Sequence, residues 1–309
     1  MTAETSQHSV WHSGELAVRR RAAAEELSEA GIRSSIPEGL ARFLAVQRVA
    51  AFGSVDGEAK LWASLRLGQP GFIRAVDSAT VQTVPLAVDG DPLLENLRAR
   101  PGIGMVIIDF ATRRRVRING EAEVLADGGL RIHTRQVYGN CPQYIQIRVT
   151  EDSPGRVSPT AFISRTMELS SDQQRRIALA DTFFIATAHP ESGVDASHRG
   201  GNPGFIKVES SRRLRIPDYS GNHMFNTLGN ISVNPAVGLV FPDFEHGRTL
   251  QLSGRATIDW QPDREQLPGA ERALVFETED VIEIEQPALR TYEFKSYSPL
   301  NPKLPGDGR

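Results

Sequence analysis

Two stretches of this sequence concentrate groups that could hold an anion. Ser197-His198-Arg199-Gly200-Gly201 sets a hydroxyl, an imidazole and a guanidinium beside a glycine pair, and Asn202-Pro203-Gly204 follows. A guanidinium grips a phosphate through a planar fork, and glycines let a ligand come close to the backbone. Further on, Ser220-Gly221-Asn222-His223 follows Asp218-Tyr219 and precedes a short helical stretch. Backbone N–H groups at a helix start, joined by Ser and Asn side chains, make a seat for phosphate. The competing reading is that these glycines only make tight strand turns.

Other reactive residue types carry less. The histidines at 8, 12, 133, 189, 198, 223 and 246 show no HxH or HExxH spacing, so no metal site is expected. Cys141 has no base at a telling spacing and reads as a packing cysteine. A Ser-His-Asp triad is not something spacing reveals. Arg19-Arg20-Arg21 and Arg113-Arg114-Arg115 are short basic clusters that read as solvated surface.

The elements that must position these groups occur twice. Gly68-Gln69-Pro70-Gly71-Phe72-Ile73 recurs 133 residues later as Gly201-Asn202-Pro203-Gly204-Phe205-Ile206, and Ser64-Leu65-Arg66 matches Ser197-His198-Arg199 at the same offset. Pro101 to Val106, Asp109-Phe110 and Asn119 to Ala122 recur 134 residues on. Blocks in one order at one offset indicate duplication of a whole domain. Each half opens on a helix signal: Ser35 as N-cap before Ile36-Pro37, and Ser171 with Gln174 as a capping box. Strand-like runs follow at 49–54, 72–76, 105–110 and 115–122, and again at 183–188, 205–208, 237–241 and 250–258. Short helices are expected at 92–98 and about 224–230. Many short strands with few helices predict an antiparallel barrel in each half. The expected layout is an N-terminal extension (1–34), a first barrel (35–150), a Ser/Pro-rich linker, a second barrel (160–296) and a loose Pro/Gly-rich tail (297–309).

Composition fits this. The chain has 309 residues, 39% hydrophobic and 24% charged, which suits a soluble two-domain protein. A net charge of -3 gives no basic field for nucleic acid. One cysteine allows no internal disulfide, the start of the chain has no apolar signal segment, and no run is long enough to cross a bilayer. A cytoplasmic protein is expected.

The chain resembles the pyridoxamine 5'-phosphate oxidase-like family of FMN-binding split barrels, in a long two-barrel form. The residues that carry the resemblance are Trp11 to Glu15, Tyr138-Gly139-Asn140-Cys141-Pro142-Gln143-Tyr144-Ile145-Gln146, Ser197 to Phe205, and Gly221 to Asn230. The resemblance implies a mainly β chain with short helices, folded as two tandem FMN-binding split β-barrel domains. It implies FMN with its phosphate against Ser197, His198, Arg199, Gly200 and Gly201, completed by Ser220, Gly221, Asn222 and His223. Asn140, Tyr144 and Gln146 would cover the flavin from a neighbouring barrel. The first half keeps Ser64 and Arg66 but has Asp89-Gly90-Asp91-Pro92 where the phosphate loop would be, so its own site is expected to be lost. The resulting expectation is an FMN-dependent oxidoreductase of a small molecule, with NAD(P)H as a visiting reductant because no Rossmann fingerprint is present. The alternative is a non-catalytic flavin- or haem-binding carrier or sensor. Because family members bind flavin at a two-fold interface, a homodimer or an internally paired chain is implied, with the homodimer favoured.

Overall fold

The computed structural model describes residues 11–24, 31–150 and 160–304. A first helix, α1 (Ser13–Arg21), precedes both halves. The first half contains α2 (Glu38–Ala45), β1 (Val49–Val55), β2 (Leu61–Leu67), β3 (Ile73–Ala75), β4 (Thr80–Thr83), α3 (Leu93–Ala99), β5 (Gly102–Asp109), β6 (Arg114–Val124) and β7 (Leu130–Gly139). After β8 (Ile147–Thr150) and β9 (Ala161–Thr166), the second half repeats the plan. It has α4 (Ser171–Leu179), β10 (Thr182–His189), β11 (Gly193–Gly200), β12 (Lys207–Val208), β13 (Arg213–Tyr219), α5 (Asn226–Val233), β14 (Ala236–Asp243), β15 (Arg248–Asp259) and β16 (Ala270–Glu285). A last strand, β17 (Tyr292–Ser296), pairs with β8 in a separate ribbon.

The duplication seen in the sequence is a duplication of topology. The first sheet runs β2-β1-β5-β6-β7-β4-β3 and the second β11-β10-β14-β15-β16-β13-β12, strand for strand the same order. Each sheet wraps its own core. Phe52, Met105, Ile118 and Ile132 lie in one, and Phe183, Leu239, Leu252 and Phe276 in the other. The fold is mainly β, two tandem split barrels.

A third core lies between the halves and uses residues of both, among them Ala51, Leu65, Val106, Phe184, Ala196 and Val240. The contact is close enough to need glycine at two related positions. A Cβ at Gly104 would meet the Asp195 backbone at 2.5 Å, and one at Gly238 would meet the Trp62 backbone at 2.7 Å. The two barrels therefore pair within one chain.

Several local expectations are corrected. The helix at 38–45 is capped by Pro37 without a side-chain bond, so Ser35 is not its cap. The capping box of α4 is Ser170 with Gln173, one residue before the expected pair. Both registers fit the Ser-Ser-x-Gln-Gln run, and the chosen one lets Gln173 donate to buried Glu283 (2.8 Å). The tail is not loose through residue 304: Ser298 N donates to Gln146 Oε1 (2.6 Å) and Asn301 Nδ2 to Asn202 Oδ1 (2.7 Å). The expected linker lies almost wholly outside the described residues.

Candidate functional site

The site grows from strand alternation. On β11, Asp195, Ser197 and Arg199 share one face, while Val194, Ala196 and His198 share the other, toward the core between the barrels. On β6 of the first barrel, Arg115, Arg117 and Asn119 likewise share a polar face. The pairing of the barrels brings β6 against β11. Arg117 Nη2 donates to Asp195 Oδ2, Asn119 Nδ2 and Tyr138 OH donate to Asp195 Oδ1 (both 3.1 Å), and Arg115 Nη1 donates to His198 Nδ1 (2.8 Å).

Between them opens a cleft lined by residues of both barrels. The first barrel supplies Arg115, Arg117, Asn140, Cys141, Gln143 and Tyr144; the second supplies Ser197 to Gly200, Asp218 to His223, Phe225 to Leu228 and Arg272. Tyr144 ties the halves together, its hydroxyl donating to the Ser220 carbonyl (2.6 Å). At Gly200 a Cβ would lie 2.1 Å from the Tyr144 carbonyl oxygen, so only glycine lets that segment close over β11. The 220–225 loop leads into α5, whose N-terminus has no side-chain cap, and Asn226, Thr227 and Leu228 line the cleft there. Uncapped helix N–H groups need an acceptor and favour an anion.

Charge in the cleft is unbalanced. Asp218 is its only lining carboxylate among the described residues, and it is shared by Arg199 (3.1 Å) and Arg272 (3.0 Å). Burial, with the neighbouring Arg115, Arg199 and Arg148 guanidiniums, holds His198 well below the usual imidazole range, so it is neutral at pH 7. Its Nδ1 accepts from Arg115, which leaves the proton on Nε2, and that buried atom has no partner. Asn140 Oδ1 and Arg117 Nε are likewise buried without a partner.

Ser197, His198, Arg199, Gly200, Ser220, Gly221, Asn222, His223, Asn140 and Tyr144 all line this cleft. Gly201 and Gln146 do not. Gly201 sits under the Phe205 ring in a turn. Gln146 is fully buried, its amide donating to the Asp181 and Gly201 carbonyls (3.2 and 3.0 Å), a structural brace rather than a ligand contact. Cys141 is half-buried on the cleft wall, with its thiol donating to Gln143 Oε1 (3.3 Å). Arg115, Arg117 and Arg272 were missed. As part of a basic cluster Arg115 reads as solvated surface, although the Arg-Val-Arg-Ile-Asn alternation of 115–119 marks one polar strand face. Which surface that face meets is decided by the other barrel.

The matching position in the first barrel is filled. Asp91 accepts from Ser64 Oγ (2.8 Å), from Arg66 Nη1 and Nη2 (2.8 and 2.7 Å) and from Gln251 (2.5 Å), the residue that corresponds to Arg117. Trp62, Ile282 and Ile284, packed with Val88, add an apolar plug. Asp89, the other acid of that loop, is exposed; Asp91 alone takes the anion's place.

The extension packs on the second barrel, where Val18 of α1 joins its core. His12 caps α1 through Nδ1, donates through Nε2 to Asn230 Oδ1 (2.9 Å) and stacks on His189 at 3.9 Å. Glu15 accepts from Asn226 Nδ2 (2.5 Å), and Asn226 Oδ1 accepts from Arg117 (3.2 Å), which links α1 to the cleft wall. Burial, then the nearby His189, lowers the His12 pKa to about 4. Because the folded value lies below the unfolded value of about 6.5, the unfolded chain takes the proton first as pH falls. Stability is therefore present above about pH 6.5 and lost toward pH 4, on the order of 3 kcal/mol in full. Urea midpoints measured across this range should fall for the parent and flatten in His12→Gln; an equal slope in both would refute the assignment.

Residues 169–285 match the family described as Pyridoxamine 5'-phosphate oxidase. That match takes in most of the second barrel. Among solved structures, HupZ of Group A Streptococcus is 12% identical, with 36% of this chain and 90% of that one covered at a TM-score of 0.29. A Clostridium acetobutylicum protein related to general stress protein 26 is 10% identical, covering 38% and 94% at 0.27. An FAD-binding protein from Mesorhizobium loti is 14% identical, covering 40% and 98% at 0.27. No curated protein sequence matches. No described helix is long and apolar enough to cross a membrane, and the described residues hold no cluster of metal-ligating side chains.

Proposed function

We propose that the cleft binds FMN, one per chain, and that the protein is an FMN-dependent oxidoreductase of a small molecule. The observation that carries this reading is the cationic cleft of an oxidase-like barrel, where arginines outnumber carboxylates around an uncapped helix N-terminus. A phosphate monoester carries close to two negative charges and accepts through three oxygens. Arg199, Ser197, the Ser220 to His223 loop and the first N–H groups of α5 are donors of the right kind to hold it. The unpartnered His198 Nε2 and Arg117 Nε are polar atoms in the same wall that a heteroatom-rich ring system would satisfy.

When bound, FMN supplies the hydride or electron transfer. This chain's residues do the rest. Tyr144 and Asn140 close the cleft from the first barrel, and the neutral His198 keeps its Nε2–H as a donor at pH 7. Arg199 and Arg272, fixed through Asp218, orient the anion. A nicotinamide would reach the flavin from the open side as a transient visitor.

Native mass spectrometry of protein saturated with FMN is expected to show one flavin per chain. Two tightly held flavins, or none, would overturn this reading. Bleaching by NADPH and recolouring in air support the oxidoreductase. A flavin inert to every reductant reduces the assignment to a carrier.

A further inference from the structure

Of the four arginines lining the cleft, three are matched by carboxylates: Arg117 by Asp195, Arg199 by Asp218, and Arg272 by Asp218 and Glu271. Arg115 has none. Its Nη1 donates to the neutral His198 Nδ1 (2.8 Å) and its Nη2 to the Gln143 carbonyl (2.7 Å), both uncharged acceptors. The Cys141 thiol lies beside it, and Arg117 and Arg199 add like charge nearby. A half-buried cation in such company is costly unless an anion completes it.

The position of Arg115 separates it from the proposed phosphate seat. It stands on the first barrel, beside the Asn140 to Gln143 segment, whereas Arg199, Arg272 and the 220–223 loop all belong to the second. One unmatched positive charge calls for one negative charge, and a guanidinium fork fits a carboxylate in plane.

We infer that Arg115 seats the carboxylate of a second ligand beside the flavin, which makes small carboxylic acids the substrate class. This rests on the FMN reading above for the place of the flavin, and on the unmatched guanidinium for the carboxylate.

The test is a titration of FMN-loaded protein with benzoate and succinate, read by the flavin absorption spectrum, with benzamide and succinamide as neutral isosteres. A saturable change with an acid but not with its amide is expected. Arg115→Gln should weaken that binding by roughly tenfold to a hundredfold, with FMN affinity changed by less than about threefold. Arg115→Lys, which keeps the charge but loses the fork, should fall between and guards against a misfolded Gln variant. The inference is overturned if neither acid binds, if the amides bind equally well, or if Arg115→Gln loses FMN as strongly as Arg199→Ala. Should FMN fail to bind at all, calorimetry of the same acids on the flavin-free protein decides. Arg115-dependent binding would keep the carboxylate seat while removing the cofactor reading, and no binding would remove both.

Discussion

Arg66→Ala is expected to cost about 3–5 kcal/mol of stability, the typical result of removing one partner from a buried ion pair. Both side chains are almost wholly enclosed, at 3% exposure for Arg66 and 0% for Asp91. Burial alone would raise the Asp91 pKa; the Arg66 guanidinium and the bonds from Leu93 N and Gln251 outweigh it and hold the carboxyl below its usual range. Without Arg66, a buried carboxylate would keep only the neutral donors Ser64 Oγ, Leu93 N and Gln251. Replacing the whole pair, as in Arg66→Met with Asp91→Leu, should cost much less, because no charge is then stranded. Urea denaturation with both variants checks this. A single variant within about 1 kcal/mol of the parent would mean that the pair does not seal the first barrel. Any folded Arg66→Ala protein should bind FMN almost as the parent does, since Arg66 lies in the filled site.

Arg199→Ala should weaken FMN binding by roughly tenfold to a hundredfold, from about 1.5–3 kcal/mol for a charge-assisted bond to phosphate. The side chain is partly open, at 27% exposure, and Asp218 holds it from below while also holding Arg272. Losing it leaves Arg272 and the helix N–H groups, so binding should be reduced rather than abolished. Riboflavin, which lacks the phosphate, serves as the control, and its affinity should change little. Fluorescence titration of both ligands decides the matter, with the thermal transition recorded alongside. If FMN and riboflavin lose affinity equally, Arg199 is supporting the barrel and not the phosphate.

What the sequence by itself determined was local or repeated. The 133- and 134-residue offsets marked two copies of one plan, because duplicated turns such as Gly201 to Phe205 must keep the residues their geometry requires. Strand alternation and the Gly/Asn loops marked Ser197, Arg199 and Ser220 to His223, since both signals lie within a few residues of each other along the chain. Only the tertiary structure decided what those faces meet. The fourth wall of the cleft comes from Arg115 and Arg117, about eighty residues before β11, and no local period records a contact between barrels. The same holds for Asp91. In the sequence it is one of two acids in a loop, and only packing shows that it turns inward onto Ser64 and Arg66 while Asp89 stays in solvent. Gln146 reads as a ligand residue beside Tyr144, yet its two amide ends are already taken by backbone groups from other parts of the chain. Side-chain chemistry is written in the sequence, but whether a buried polar group still lacks a partner depends on every element packed around it.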